Sequence, residues 1–304
     1  MDLRQLRHFI AVADTLHFGR AAERLGMTQP PLSQSIMALE RELGAKLFIR
    51  SKRIVTLTAF GQQWLEHVRP AVQGITDLSD IAEQLRIGTG GRLSLAFVST
   101  ADYSVLPRLV QRYSAAFPDV ALELTEATSD VQIEALLEGR INAGILISAR
   151  SALPAGLDYR PLVIEPLVAA VPEQWIEEGR LTLEDRVLQS DNWMTHPLII
   201  FPKRVSPDFH ELVMSYYMAR GYQPFIQQEA IQMQTIISLV SAGLGMALVP
   251  ASLQHLARTG VRYIAIAGET PKLETGLAWR REDQAPTLAA LIKITENLQR
   301  VNDQ

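Results

Sequence analysis

Residues 17–58, HFGRAAERLGMTQPPLSQSIMALERELGAKLFIRSKRIVTLT, constrain this chain more than any other stretch. Phe18, Ala21, Ala22 and Leu25 recur at three- and four-residue spacing, which predicts a short helix, and Gly26 suits its left-handed C-cap. Leu32, Ile36, Leu39 and Leu43 then fall at i, i+4, i+7 and i+11, the stripe of a further helix. At about 100° per residue, Pro30, Gln34, Met37 and Arg41 lie opposite, flanked by Ser33 and Ala38, with Glu40 nearer the buried stripe. Upstream, Leu3, Leu6, Phe9, Ile10, Ala13 and Leu16 predict an amphipathic helix over 3–16. Downstream, Leu47–Ile49 and Ile54–Leu57 flank the basic tip Arg50-Ser51-Lys52-Arg53 and predict a hairpin. Helix, glycine turn, helix and cationic hairpin make a winged helix-turn-helix, an all-α module with a wing. It presents a polar helix face to base edges beside phosphate-seeking charge.

The third helix starts unusually. Thr28 is its expected N-cap, Gln29 its first residue, and Pro30 and Pro31 follow. Proline is tolerated there because early helical N–H groups have no intrahelical partner. A cap hydroxyl ordinarily accepts from the second or third helical N–H. Neither exists here, so the Thr28 hydroxyl is free to bond a phosphate.

Charge is unevenly spread. Residues 1–58 hold nine Lys and Arg against five acids, a balance of +4. The remainder holds 20 against 28, a balance of −8, so only the head suits nucleic acid. With no cysteine, the chain has no disulfide, no thiolate nucleophile and no thiol-based redox sensing. No apolar run reaches the roughly 18–20 residues that span a bilayer, and residues 1–16 lack the pattern of a signal peptide. The expected compartment is the cytoplasm.

Residues 59–87 read as a linker helix. Leu65, Val68, Val72, Ile75 and Ala82 form a stripe that Leu78, Ile81 and Leu85 widen, which predicts a dimerising helix pair. Pro70 is expected to kink or divide it. The glycines of Ile87-Gly88-Thr89-Gly90-Gly91 predict a loosely specified hinge. From 93 onward strands alternate with helices, an α/β pattern that implies parallel sheets. Ligands in such sheets sit beyond the carboxyl ends of strands. Here those ends supply Ser99 and Thr100, then Thr128 and Ser129, then Pro202 and Lys203. Their hydroxyls, amides and one ammonium predict a site for a small organic anion.

Met1-Asp2-Leu3-Arg4-Gln5-Leu6-Arg7-His8-Phe9, Phe18-Gly19-Arg20-Ala21-Ala22, Gln29-Pro30-Pro31-Leu32-Ser33, Leu47-Phe48 and Leu57-Thr58-Ala59-Phe60-Gly61 resemble the LysR-type transcriptional regulators, densely and in order. Leu239-Val240-Ser241-Ala242-Gly243-Leu244-Gly245-Met246-Ala247-Leu248-Val249-Pro250 resembles that family's helix–Gly–strand–Pro signature. The resemblance implies three parts: a DNA-binding domain over 1–58, a linker over 59–87, and a periplasmic-binding-protein-like effector domain over 88–304. The last would have one lobe near 93–165 plus 269–304 and another near 166–268. It further implies an inverted-repeat operator, a dimer through the linker, a tetramer through the sensors, contact with RNA polymerase, and no cofactor or metal. Thr28, Gln29, Pro30, Ser33, Gln34, Arg50, Lys52 and Arg53 are the expected DNA contacts. Arg53 is expected to enter the minor groove. The segment near 201–207 and Val249-Pro250-Ala251-Ser252 look like regulators of aromatic-compound and muconate breakdown, which puts an aromatic acid or its breakdown product among the candidate effectors. That subgroup often has an arginine ending the strand that matches Ala143–Ile147. Here the end is Ile147-Ser148, with Arg150 nearby.

An enzyme or a solute receptor on the same α/β fold is the competing reading. The six histidines form no HxxxH or HxH pair, and GxGxxG, GxSxG and Walker motifs are absent. A solute receptor leaves the N-terminal module without a purpose.

Overall fold

The protein, described by a computed structural model, is defined over residues 1–51, 54–148, 153–188 and 191–302, except for the side chains of 191–192 and 297–302. It divides into two compact units, Met1–Glu83 and Gln84–Gln304.

In the first unit, α1 (Leu3–Thr15), α2 (Phe18–Arg24) and α3 (Gln29–Leu43) enclose a core of Phe9, Val12, Ala21, Leu32, Ile36 and Leu39, each essentially inaccessible. Asp2 and Gln5 close a reciprocal capping box at the start of α1. Gly26 takes the left-handed conformation (φ +66°) that ends α2. The wing is an antiparallel pair, β1 (Phe48–Arg50) with β2 (Val55–Leu57). Helix α4 (Ala59–Ile87) runs through Pro70 without dividing. Its first half is a core helix of its own chain. Val68 and Val72 are buried there, and the Trp64 ring lies 4.8 Å from Phe9. Its second half keeps Ile75, Leu78, Ile81 and Leu85 exposed.

The second unit carries an eight-stranded mixed sheet. β3 (Gly90–Phe97) pairs in parallel with β4 (Asp119–Glu126) and with β5 (Ala143–Ile147). Helix α5 (Leu106–Ala116) joins β3 to β4, and α6 (Ser129–Leu137) joins β4 to β5. β6 (Leu157–Pro172) is sixteen residues long and runs antiparallel to β12 (Lys272–Arg280) along 157–166. Its far end pairs with β10 (Ala247–Pro250) and β11 (Val261–Ile266). A short helix α7 (Glu173–Glu177) follows it, and β7 (Val187–Leu188) extends the β11 edge in parallel. A separate parallel pair, β8 (Leu198–Ile200) with β9 (Ile226–Glu229), brackets α8 (Pro207–Ala219) and precedes α9 (Met233–Ser241). Helix α10 (Pro286–Asn302) closes the chain; the Thr287 hydroxyl donates to the Arg92 carbonyl.

Two expectations change. The sheet is mixed, because β6 and β12 return antiparallel to the βαβ units. The glycines after α4 form a tight joint. A Cβ on Gly88 (φ +76°) would come within 2.7 Å of Pro286, and the Gly88 and Thr89 N–H groups both donate to the Gln84 carbonyl. Packing therefore fixes backbone that composition alone leaves loose. No helix among the described residues is long and apolar enough to cross a membrane.

Candidate nucleic-acid interface and ligand cavity

Helix α3 buries Leu32, Ile36, Leu39 and Glu40 and turns Gln29, Pro30, Gln34 and Met37 outward, with Ser33 half-buried. Thr28 is exposed and its side chain caps nothing, as two prolines in the first turn require. The polar outward groups can meet base edges, and the Thr28 hydroxyl with the early N–H groups can meet a phosphate.

Glu40 organises the side of this surface next to the wing. It is 3% exposed, and one carboxylate oxygen accepts from the N–H groups of Leu47 (3.0 Å) and Phe48 (3.3 Å). The other meets Lys46 Nζ at 3.0 Å and Arg50 Nη2 at 3.5 Å. Burial alone would raise its pKa, but the Lys46 and backbone hydrogen bonds and the Arg50 charge together hold it below the usual carboxylate range.

Arg50, an exposed residue, turns its guanidinium back toward α2 and α3. Its guanidinium stacks 4.5 Å from the Phe18 ring centroid and donates to Ser33 Oγ at 3.3 Å. The buried Glu40 carboxylate requires countercharge, and Arg50 is near enough to supply it. Lys52 and Arg53 lie outside the described residues.

In the second unit, four strand ends meet at one cavity of about 310 Å³. Ser99 and Thr100 follow β3, Ala127, Thr128 and Ser129 follow β4, Phe201, Val205 and Ser206 follow β8, and Ile231 and Gln232 follow β9. Both parallel pairs thus present their carboxyl ends to the same space, where ligands of open α/β sheets bind. Val98, Val131 and Ile147 add an apolar wall, and Glu126 adds a carboxylate.

The hydroxyls are set as donors. Ser99 Oγ accepts from the N–H of Met233 (3.3 Å), and Ser129 Oγ accepts from the N–H of Ile147 (3.2 Å). Each keeps its own proton to give. The Thr100 residue is 2% exposed, and its buried Oγ1 has no partner among the described residues. Thr128 stands at the N-cap of α6 without bonding the helix, and Gln232 stands at the N-cap of α9 in the same way. Three helix N-termini, of α6, α8 and α9, and five hydroxyl-bearing residues therefore surround the space, which suits a carboxylate or similar anion.

Four of the six residues expected here, Ser99, Thr100, Thr128 and Ser129, come together. Pro202 and Lys203 do not line the cavity. Lys203 is exposed and sits 3.4 Å from Glu211, because the strand end turns its neighbours Phe201 and Val205 inward and leaves the ammonium in water. Ile231 and Gln232 also line it beyond β9; the sequence pattern places a strand at Phe225–Gln228, but its carboxyl end is not among those named above. Arg150 lies outside the described residues. Among the described residues no cluster of three or more His, Asp or Glu is gathered as a metal site.

Residues 3–62 match the family described as bacterial regulatory helix-turn-helix protein, lysR family, and residues 86–299 match the LysR substrate binding domain. The chain is similar to the HTH-type transcriptional regulator IlvR of Caulobacter vibrioides, at 60% identity over 97% of each chain. It is 38% identical to the HTH-type transcriptional regulator AlsR of Bacillus subtilis, over 97% of this chain and 95% of that one. Full-length CbnR crystallised with its target DNA superposes with a TM-score of 0.72 at 29% identity, covering 98% of this chain and 99% of that chain. With both parts of the architecture matched, the chain belongs to the LysR family and is a DNA-binding transcriptional regulator, not an enzyme.

Proposed function

We propose that this regulator binds an inverted-repeat operator and changes its output when a small carboxylate-bearing metabolite enters the cavity at the strand ends. The single observation that carries the reading is the convergence of five hydroxyl-bearing residues and three helix N-termini on one partly apolar cavity. The division of labour follows the sequence: 1–58 read DNA, 59–87 pair two chains, and 88–304 bind the effector.

Gln29, Pro30, Ser33 and Gln34 approach bases, Thr28 holds a phosphate, and Lys52 and Arg53 supply wing charge. Arg50 acts by holding Ser33 in place. Two chains pair through the exposed stripe of α4, and sensor contacts make a tetramer, a habit carried over from the family resemblance. The regulator works at the chromosome, in the cytoplasm, and its activating contact is with RNA polymerase. Effector binding alters lobe closure, which the joint at 88–91 passes to the DNA-binding pairs. A ligand shifts that balance only by its different affinities for the two arrangements.

The test is footprinting of the full chain on duplexes selected from a random pool. The expected result is protection of two inverted half-sites. Protection of a single half-site, or no enrichment at all, contradicts the dimeric reading.

A further inference from the structure

The cavity holds donors for an anion, but it is not lined by a cation. Among the described residues that line it, the one charged side chain is Glu126. Gln232 Nε2 donates to Glu126 Oε1 at 3.4 Å and steadies it at the rim. Asp102, one turn past β3, stands close enough for Glu126 to add to what burial already does in raising its pKa, so the potential on this side is negative. Neither carboxylate has an ion-pair partner among the described residues. The opposite requirement comes from the hydroxyls of Ser99 and Ser129, each of which accepts from a backbone N–H and keeps its proton to give, and from Thr128, whose side chain bonds no N–H of the helix it precedes. A purely anionic ligand satisfies the donors and meets Glu126 as a like charge. A dicarboxylate does so twice.

We infer that the effector is an α-amino acid with an apolar side chain. Its carboxylate would take the hydroxyls at the start of α6, its ammonium would face Glu126, and its side chain would lie against Val98, Ile147, Phe201 and Val205. A volume of about 310 Å³ suits a molecule of that size. This rests on the reading of the cavity as a carboxylate site and adds the ammonium group, which a simple organic anion lacks.

The experiment is calorimetric titration of the full-length protein with L-leucine and L-phenylalanine, each beside the 2-oxo acid bearing the same side chain. At least one amino acid is expected to bind tenfold or more tightly than its oxo acid. Glu126→Gln should erase that preference. Equal or tighter binding of the oxo acids, no binding of either amino acid, or a preference that survives Glu126→Gln overturns the inference. Thr128→Val, which removes the hydroxyl at the N-cap of α6, separates the two layers. Loss of binding for amino and oxo acids alike supports the carboxylate site, and unchanged binding of both sinks that site and the inference with it.

Discussion

Glu40 ties the recognition helix to the wing. Two backbone N–H groups of the turn before β1 depend on its carboxylate, and Lys46 and Arg50 balance its charge. Glu40→Gln keeps one oxygen for both N–H groups but turns an amide NH2 toward Lys46 and Arg50, and should lower the stability of the DNA-binding unit by about 1–3 kcal/mol, read by denaturant unfolding. The pH dependence follows from its lowered pKa. A depressed carboxylate contributes fully above its unfolded value of about 4.3 and loses that contribution as pH falls through the lower folded value. Wild type and variant should therefore differ most at neutral pH and converge in acid; a constant gap would assign the effect to packing. Contacts to DNA divide the same way. Gln34→Ala should relax base preference by about 1–3 kcal/mol at one position of each half-site in binding-site selection. Thr28→Val should instead weaken all duplexes alike in gel shifts, as the loss of a phosphate contact would. If Thr28→Val changes sequence preference, the hydroxyl faces a base.

At the scale of elements, α4 has two characters. Its first half completes a core, and its second half leaves Ile75, Leu78, Ile81 and Leu85 exposed, an apolar stripe that pairing would cover. Ile75→Glu should give monomers in sedimentation and weaken operator binding. Intact assembly after that change would place the dimer contact elsewhere. Elements with a strong period were legible in the sequence: α1, α2 and α3 fall within a residue or so of expectation, and β5 matches fully. The stripe of α4 was visible too, but period alone does not say which half meets its own chain. Strand β6 was missed because Pro161 and Pro166 interrupt it, and proline argues against a ladder position. The structure accommodates Pro161 at a register shift opposite Gly276. Its antiparallel pairing with β12 is a contact between segments more than a hundred residues apart, which no local pattern encodes. The cavity was half legible for a related reason. Strand ends name the loops, so Ser99 and Thr128 were found. Which of Phe201, Pro202 and Lys203 turns inward depends on local backbone geometry.

Across the whole molecule, one claim joins the parts: occupancy of the cavity at the ends of β3, β4, β8 and β9 governs how the regulator holds DNA. Energy transfer between dyes at the two ends of a selected operator duplex measures that arrangement directly. It should be followed with L-leucine, L-phenylalanine and their 2-oxo acids, for wild type and for the Thr100→Val/Thr128→Val double variant. The expected result is that at least one of these ligands shifts the end-to-end distance in wild type. The double variant should bind the operator with unchanged affinity and show no shift. A shift that persists in the double variant, or a wild-type complex that none of the four ligands moves, contradicts the account.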